Sequence, residues 1–232
     1  MTPSPIANMF DRISPKYDAL NHLFSFNIDK VWRRKTAKVV AKSHPKTILD
    51  LATGTADLAI ALAKHNPQAY IVGMDISEKM MEIGKEKVKR QNLENQIELR
   101  FGDAASLPFE DDSFDAVTVA FGVRNFEDLE KGLSEIRRVL KPHGQAVILE
   151  FSMPEKFPVK QLYRLYFKRL LPFIGKMISK DGNAYNYLPQ SVEKFPKPDA
   201  FCQMLASFGL DSGKPKPLTF GIATLYAAQK RP

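Results

Sequence analysis

The apolar positions of this chain change period along its length, and the changes divide it. Over residues 6–24, Phe10, Ile13, Tyr17, Leu20, Leu23 and Phe24 recur near helical spacing, which predicts an amphipathic helix interrupted at Pro15. Residues 30–42 continue as a basic helix. From Thr47 onward, short apolar runs alternate with helical periodicity. Strands are predicted at 47–51, 70–74, 96–101, 114–121 and 145–151. Helices are predicted at 58–64, from Glu78 behind a Ser77 cap, and at 128–140, where the sequence Lys141-Pro142-His143-Gly144 stops the last of them. Beyond Phe151 the regularity fades into a Pro-, Lys- and Tyr-rich insertion up to about Pro198. A helix over 199–208 and two strand-like runs, 216–220 and 222–229, close the chain, and Gly221 between the runs allows an antiparallel hairpin.

Strands alternating with helices, several of them apolar on both faces, predict a parallel sheet covered on both sides. The right-handed crossover rule makes such a sheet open and doubly wound. The expected class is α/β, Rossmann-like, mostly parallel with a C-terminal antiparallel hairpin. One domain is expected over 1–232, with residues 1–42 as a helical cover and 153–198 as an insertion facing substrate or membrane.

Composition narrows the classes. At 232 residues, 44% apolar and 26% charged, the chain suits one well-buried domain and excludes disorder or collagen-like repeats. The single cysteine, Cys202, excludes a disulfide framework and reads as a small apolar residue of an amphipathic helix. Without CxxC or HxxxH spacing the usual zinc sites are absent, and no metal is expected. No apolar stretch approaches the roughly 18 residues of a membrane span, and the start lacks a signal-peptide core, so a cytoplasmic or peripheral protein is expected. The 34 Lys and Arg against 26 Asp and Glu leave a net charge of +8, which favours nucleic acid or an anionic membrane as partner.

Open parallel sheets bind ligands beyond the carboxyl ends of their strands. The unusual residues fall at four such ends: DLATGTAD (50–57), Asp75, Gly102-Asp103-Ala104 and FGVRN (121–125). Asp75 stands 21 residues after Gly54, the distance at which a second strand presents a carboxylate to both hydroxyls of a ribose. The first turn is not GxGxxG, because Ala52 and Ala56 stand where a pyrophosphate loop carries glycines, and Asp50 and Asp57 make it acidic. A cationic, phosphate-free adenosine cofactor fits better, and S-adenosylmethionine meets that description. Asp103 would then accept from the adenine amino group while the Ala104 N–H donates to the ring.

The stretches ILDLATGTADL (48–58), GMDIS (73–77), GDA (102–104) and LKPHG (140–144) resemble class I S-adenosylmethionine-dependent methyltransferases. MFDRISPKYD (9–18), FGVRNF (121–126), LEFS (149–152) and YLPQS (187–191) narrow this: over nearly its whole length the chain resembles the ubiquinone/menaquinone biosynthesis C-methyltransferases. The resemblance implies methyl transfer to a ring carbon of a lipid-soluble polyprenylated benzoquinol or naphthoquinol. It implies Thr55, Asp75, Asp103 and Ala104 as cofactor contacts, beside Asp50 and Gly54 of the acidic turn. The start of the chain so near FDRISPKYD leans toward demethylmenaquinol. Three positions depart from the pattern: Ala56 and His143 replace commoner glycines, and Ala120 stands where some relatives carry a serine that touches the cofactor.

A quinol carbon becomes nucleophilic when a ring hydroxyl loses its proton. The anion and the sulfonium neutralise each other as the new bond forms, so a dry pocket favours the transition state, and an aromatic N-terminal helix suits as its cover. Position alone leaves Arg124 as readily a surface arginine as a site residue; the resemblance places it on the substrate side. There its charge would lower the hydroxyl pKa and hold the phenolate. A guanidinium, with a pKa above about 12, is a poor proton acceptor, which leaves water, Asp18 or His22 as the base. Asn125 either orients Arg124 or the quinol oxygen, or caps the following helix. Tyr17 and Phe10 either stack on the ring or simply pack. Asp111 and Asp112 read as a solvated face.

Membrane contact is expected within 156–180, where Lys160, Arg164 and Lys168 form one basic helical face beside Leu162, Leu165, Tyr166, Leu170 and Phe173, with Pro172 kinking or ending the helix. Against a nicotinamide dehydrogenase stands the acidic single-glycine turn. Against a nucleic-acid methyltransferase stands the lack of an Asn-Pro-Pro-Tyr or Pro-Cys motif, so no nucleic acid is expected. A non-enzymatic binding module is the remaining alternative.

Overall fold

In the computed structural model, which describes residues 5–166 and 182–232, helix α1 spans Pro5–Phe24 with Pro15 inside it. A helical proline lacks the N–H that would reach the carbonyl four residues back. That carbonyl belongs to Asp11, and Ser14 Oγ donates to it at 3.0 Å. The residue before the proline thus replaces the lost hydrogen bond, and the expected interruption does not occur. Helix α2 (Ile28–Val40) follows through a corner built on Asp29, which is buried. Its carboxylate accepts from His22 Nδ1 at 2.8 Å and Ser25 Oγ at 2.6 Å, and pairs with Arg33.

The sheet has the order β3-β2-β1-β4-β5-β8-β6, with β7 also paired to β8. Strands β1 (Thr47–Leu51), β2 (Tyr70–Asp75), β3 (Ile97–Phe101), β4 (Phe114–Ala120) and β5 (Leu140–Phe151) are parallel. Strand β8 (Ala223–Lys230) runs antiparallel to β5, to β6 (Leu210–Ser212) and to β7 (Lys216–Leu218). Helices α3 (Asp57–His65), α4 (Glu78–Arg90) and α5 (Leu129–Val139) are the crossovers. After β5 come α6 (Val159–Leu165), α7 (Gly182–Lys194) and α8 (Pro198–Ser207). Both sheet faces are apolar for the expected reason: Ile48 packs into one core with Trp32, Leu62 and Ile71, while Leu49 and Leu51 pack into the other with Leu133, Ile136 and Phe201.

The predicted cap holds, since Ser77 Oγ accepts from Met80 N at 3.2 Å. The hairpin also forms, between β7 and β8. Two boundaries differ. Strand β5 starts at Leu140, directly after α5, and Lys141–Gly144 bulge from it, because Phe114 pairs with Leu140 and Ala116 with Gln145. Helix α5 is capped by Asp128, which accepts from Lys131 N at 3.0 Å, and not by Asn125. The three-residue edge strand β6 was not predicted; it is too short to carry a period.

Candidate active site

The chain leaves β1 through a turn in which Ala52, Gly54 and Ala56 all take left-handed backbone angles, with φ of +50°, +55° and +64°. Glycine adopts this region freely and alanine does so at a cost. The turn aims Gly54 N at Asp75 Oδ2, 2.8 Å away, while Ser77 N donates to Asp75 Oδ1 at 2.8 Å. Asp75 is thereby held by one N–H from each of two turns, with lone pairs to spare. Burial pushes its pKa up to about 6, against those N–H bonds. Asp50 is also buried, and accepts from Thr53 Oγ1 at 2.7 Å and Thr118 Oγ1 at 2.6 Å. Burial pushes it up to about 6 as well. Beyond β3, Asp103 is exposed and its Oδ1 accepts from Ala105 N at 2.9 Å; Ala104 beside it is half-buried.

Two chambers open along this edge. The first is bordered by Asp50, Gly54, Thr55, Asp57 and Ala120 from the sheet side, and by Tyr17 and Arg33 from the cover. The second, about 990 Å³ with its open mouth, is aromatic: Phe10, Trp32, Phe121, Phe151, Tyr163, Tyr166 and Tyr187 surround it, with Arg124 among them. Among the described residues, Tyr17 and Arg33 alone border both. Burial holds the Tyr17 phenol above its ordinary pKa, against the pull of Arg33 and Arg124, so it stays protonated at neutral pH.

The floor of the aromatic chamber is built by the ends of β4 and β5. Phe121, with φ of +59°, sits where a bulky side chain is strained, and its ring stacks on Phe151 at 4.4 Å between centroids. Trp32 closes on both rings at 5.9 and 6.1 Å and donates from Nε1 to Thr219 Oγ1 at 2.9 Å. The stacked pair is flanked by two cations: the Arg33 guanidinium over Phe121 and that of Arg124 over Phe151, each 5.4 Å from the ring centroid. Gly122 follows, and a Cβ there would stand 2.4 Å from the Ala52 Cβ, so the two turns are in close contact. Arg124 Nη1 pairs with Glu150 Oε1 at 2.6 Å and also donates to the Phe121 carbonyl. Burial raises the Glu150 pKa and Arg124 opposes the rise. Asn125 is buried, and its Oδ1 accepts from Tyr187 Oη at 2.9 Å, which ties the FGVRN turn to α7.

Arg124, Asn125 and Tyr17 are thus gathered at the aromatic chamber or beside it. Asp18 and His22 point elsewhere. Asp18 accepts from Thr55 Oγ1 at 2.6 Å and pairs with Lys87 at 2.9 Å, and Lys87 also pairs with Asp57. His22 bonds Asp29, and its Nε2 is 3.7 Å from Asp57. Burial works to raise the Asp57 pKa, but Arg33 and Lys87 outweigh it and hold the carboxyl below its ordinary range. His22, Asp29 and Asp57 bring ligating atoms within 4.8 Å of one another, yet their carboxylates are already matched by Arg33 and Lys87. This network latches α1 to the first turn, and a second contact, Ser77 Oγ to Asp11 Oδ1 at 2.6 Å, latches it to the start of α4.

Sequence reasoning missed Glu150, Arg33 and Lys87. Glu150 carried a signal, as the one charged residue in the buried run Gln145–Phe151. Lys168, Leu170, Pro172 and Phe173 of the expected membrane face lie outside the described residues.

The sequence model of the ubiE/COQ5 methyltransferase family matches residues 2–230. The demethylmenaquinone methyltransferase of Bacteroides fragilis is 47% identical over 225 residues, covering 97% of this chain and 92% of that protein. The ubiquinone/menaquinone biosynthesis C-methyltransferase UbiE of Geobacter sulfurreducens is 46% identical over 226 residues, covering 97% and 88%. Among solved structures, a SAM-dependent methyltransferase from Aquifex aeolicus superimposes with a TM-score of 0.58 at 19% identity over 79% of this chain and 81% of that one, a likeness of fold.

Proposed function

The chain belongs to the ubiE/COQ5 methyltransferase family, and from that premise we propose that its substrate is demethylmenaquinol, methylated on a ring carbon. It is an S-adenosylmethionine-dependent C-methyltransferase of quinone biosynthesis. The donor chemistry at this edge fits that cofactor. Asp50 and Asp57 border the first chamber and suit positive charge. Asp75, outside its lining but hydrogen-bonded to Gly54 N of its turn, keeps lone pairs for ribose hydroxyls. Asp103 and Ala104 stand at the next strand end for the adenine. When bound, S-adenosylmethionine supplies an electrophilic methyl group on a positively charged sulfur.

The observation that carries the reading is the pair of chambers, one acidic and one aromatic, sharing Tyr17 and Arg33 as a common wall. Phe151, Tyr163 and Tyr187 provide apolar faces for a fused ring system. Arg124 presents a fixed cation to a ring oxygen and favours its phenolate, with Glu150 holding the guanidinium in place. Helix α1 excludes water, and in a low dielectric the attraction between phenolate and sulfonium is stronger. With Asp18 and His22 engaged in the latch, the hydroxyl proton leaves to solvent through the open mouth of the aromatic chamber.

The enzyme meets its substrate at a membrane surface. No helix among the described residues is long and apolar enough to cross a bilayer. Helix α6 turns Tyr163, and its C-cap residue Tyr166, to the aromatic chamber and leaves Leu162 and Leu165, 64% and 55% exposed, beside exposed Lys160 and Arg164. A prenyl tail leaving the chamber along this helix would enter the interface that such residues favour.

Incubating the protein with methyl-labelled S-adenosylmethionine and, in parallel, short-chain demethylmenaquinol and demethoxybenzoquinol tests the proposal. Label in a new methyl group on a ring carbon of the naphthoquinol, at a rate well above the benzoquinol, is the expected result; preference for the benzoquinol overturns the choice of substrate.

A further inference from the structure

Arg33 is nearly buried, its side chain 11% exposed, on α2 at the wall between the two chambers. A guanidinium has five N–H donors. Among the described residues one of its nitrogens, Nη1, is placed on an acceptor, the Asp29 carboxylate. Asp29 is itself fixed by His22 and Ser25, and the Arg33 guanidinium lies over the Phe121 ring. One edge and one face of the guanidinium are therefore held, and its other donors are left for whatever enters. Asp29 already balances the charge, but buried donors without acceptors remain costly until acceptors meet them.

The other charged walls of the first chamber are Asp50 and Asp57, and no second Lys or Arg borders it among the described residues. The cofactor's methionyl end carries two positive groups, sulfonium and ammonium, and one negative group, the α-carboxylate. The acids match the first two. We propose that Arg33 binds the α-carboxylate of S-adenosylmethionine, with Asp29 as the residue that positions it. Planar, two-pronged recognition of a carboxylate is what a guanidinium held by one edge offers. The inference rests on the cofactor reading given above. It has a structural corollary: because α2 carries Arg33, the carboxylate joins the helical cover to the first turn, next to the wall of the aromatic chamber.

The test compares S-adenosylmethionine with its decarboxylated analogue, which keeps sulfonium and ammonium and lacks only the carboxylate. Calorimetric affinities are measured on the full chain for the parent and for Arg33→Gln. The parent should prefer the carboxylate-bearing cofactor by about 10- to 100-fold, the scale of a charge-assisted pair of bonds. Arg33→Gln should lose that preference while binding the decarboxylated analogue within about threefold of the parent, the scatter expected of a site that is otherwise intact. If Arg33→Gln weakens both ligands equally, Arg33 is a structural partner of Asp29 and the assignment is overturned. A parent that binds neither ligand overturns the cofactor reading itself, a distinct outcome. If the glutamine variant does not fold, Arg33→Lys keeps a cation on Asp29 and loses the fork; it should cut the preference severalfold, and an unchanged preference also overturns the assignment.

Discussion

Arg124 and Glu150 form an ion pair inside the protein, 2.6 Å from Nη1 to Oε1, with the arginine side chain 7% exposed and the glutamate not at all. The guanidinium that lines the aromatic chamber is therefore also the counter-charge of a buried carboxylate. Removing one member of such a pair costs about 3–5 kcal/mol, because the other is stranded. Arg124→Ala should lose stability on that scale in urea denaturation, together with turnover. Adding Glu150→Gln should recover most of the stability and none of the turnover. A double variant that regains methyl transfer would remove Arg124 from the chemistry.

Asp75→Ala should weaken S-adenosylmethionine by about 2–3 kcal/mol, the scale of lost charge-assisted bonds to the ribose. The variant should also melt lower, since Gly54 N and Ser77 N lose their acceptor. Calorimetry on folded protein decides it: unchanged affinity places the ribose elsewhere.

Acidity should tune cofactor binding in the direction set by burial. Asp50 and Asp75 are pushed up to about 6, above their ordinary 3.8, so between those values the folded chain holds more protons than the unfolded one. Their contribution to stability in the ligand-free protein is thus greatest at low pH and is lost as pH rises through about 6. A cation bound beside Asp50 favours its ionised form. Affinity for S-adenosylmethionine should then rise between about pH 5 and pH 7, with proton release detectable as a buffer-dependent heat. Asp50→Asn should flatten that rise; an equally steep profile in the variant assigns the proton to another group.

Asp18 acts as a latch, and its variant should behave like that of its partner. Asp18→Asn and Lys87→Met should both open α1 to limited proteolysis and slow turnover by similar factors, because each breaks the same contact between α1 and the first turn. If Asp18→Asn abolishes turnover while Lys87→Met leaves it intact, Asp18 is the proton acceptor.

Vesicle sedimentation tests the membrane face. Replacing Lys160, Arg164 and Lys168 with glutamate should abolish salt-sensitive binding to anionic vesicles, each cation near the surface being worth about 1 kcal/mol. Activity on a tail-less, water-soluble quinol should survive. Equal sedimentation of the parent and the triple variant moves the docking surface elsewhere.

What could be read from the chain follows the range of the interactions involved. The parallel core announces itself because Ile48, Leu49 and Leu51 are apolar on both faces, and the topology of such a sheet brings Asp50, Asp75, Asp103 and Phe121 to one edge. Pro15 misleads because its remedy is one hydroxyl at Ser14. The start of β5 is hidden by a bulge made of turn residues, Lys141 to Gly144. Glu150, Asn125 and Arg33 depend on partners that local pattern does not show. Glu150 takes its meaning from Arg124, 26 residues away, and Asn125 from Tyr187, 62 away. Arg33 reads in sequence as one more cation on a basic helix, and only folding sets it against Asp29 and Phe121.

Between Gly122 and Ala52 there is no room for a second methyl group. The turn after β1 and the turn after β4 are therefore not separately adjustable parts. A side chain at position 122 forces the backbone at 52 to retreat, and with it the acidic chamber. The route around this obstacle runs through position 52, where φ of +50° already favours glycine. Ala52→Gly costs the turn little and frees the space that Gly122→Ala needs. Any drift or design that places a side chain at position 122 is consequently a two-position walk, and its first step lies in the turn after β1.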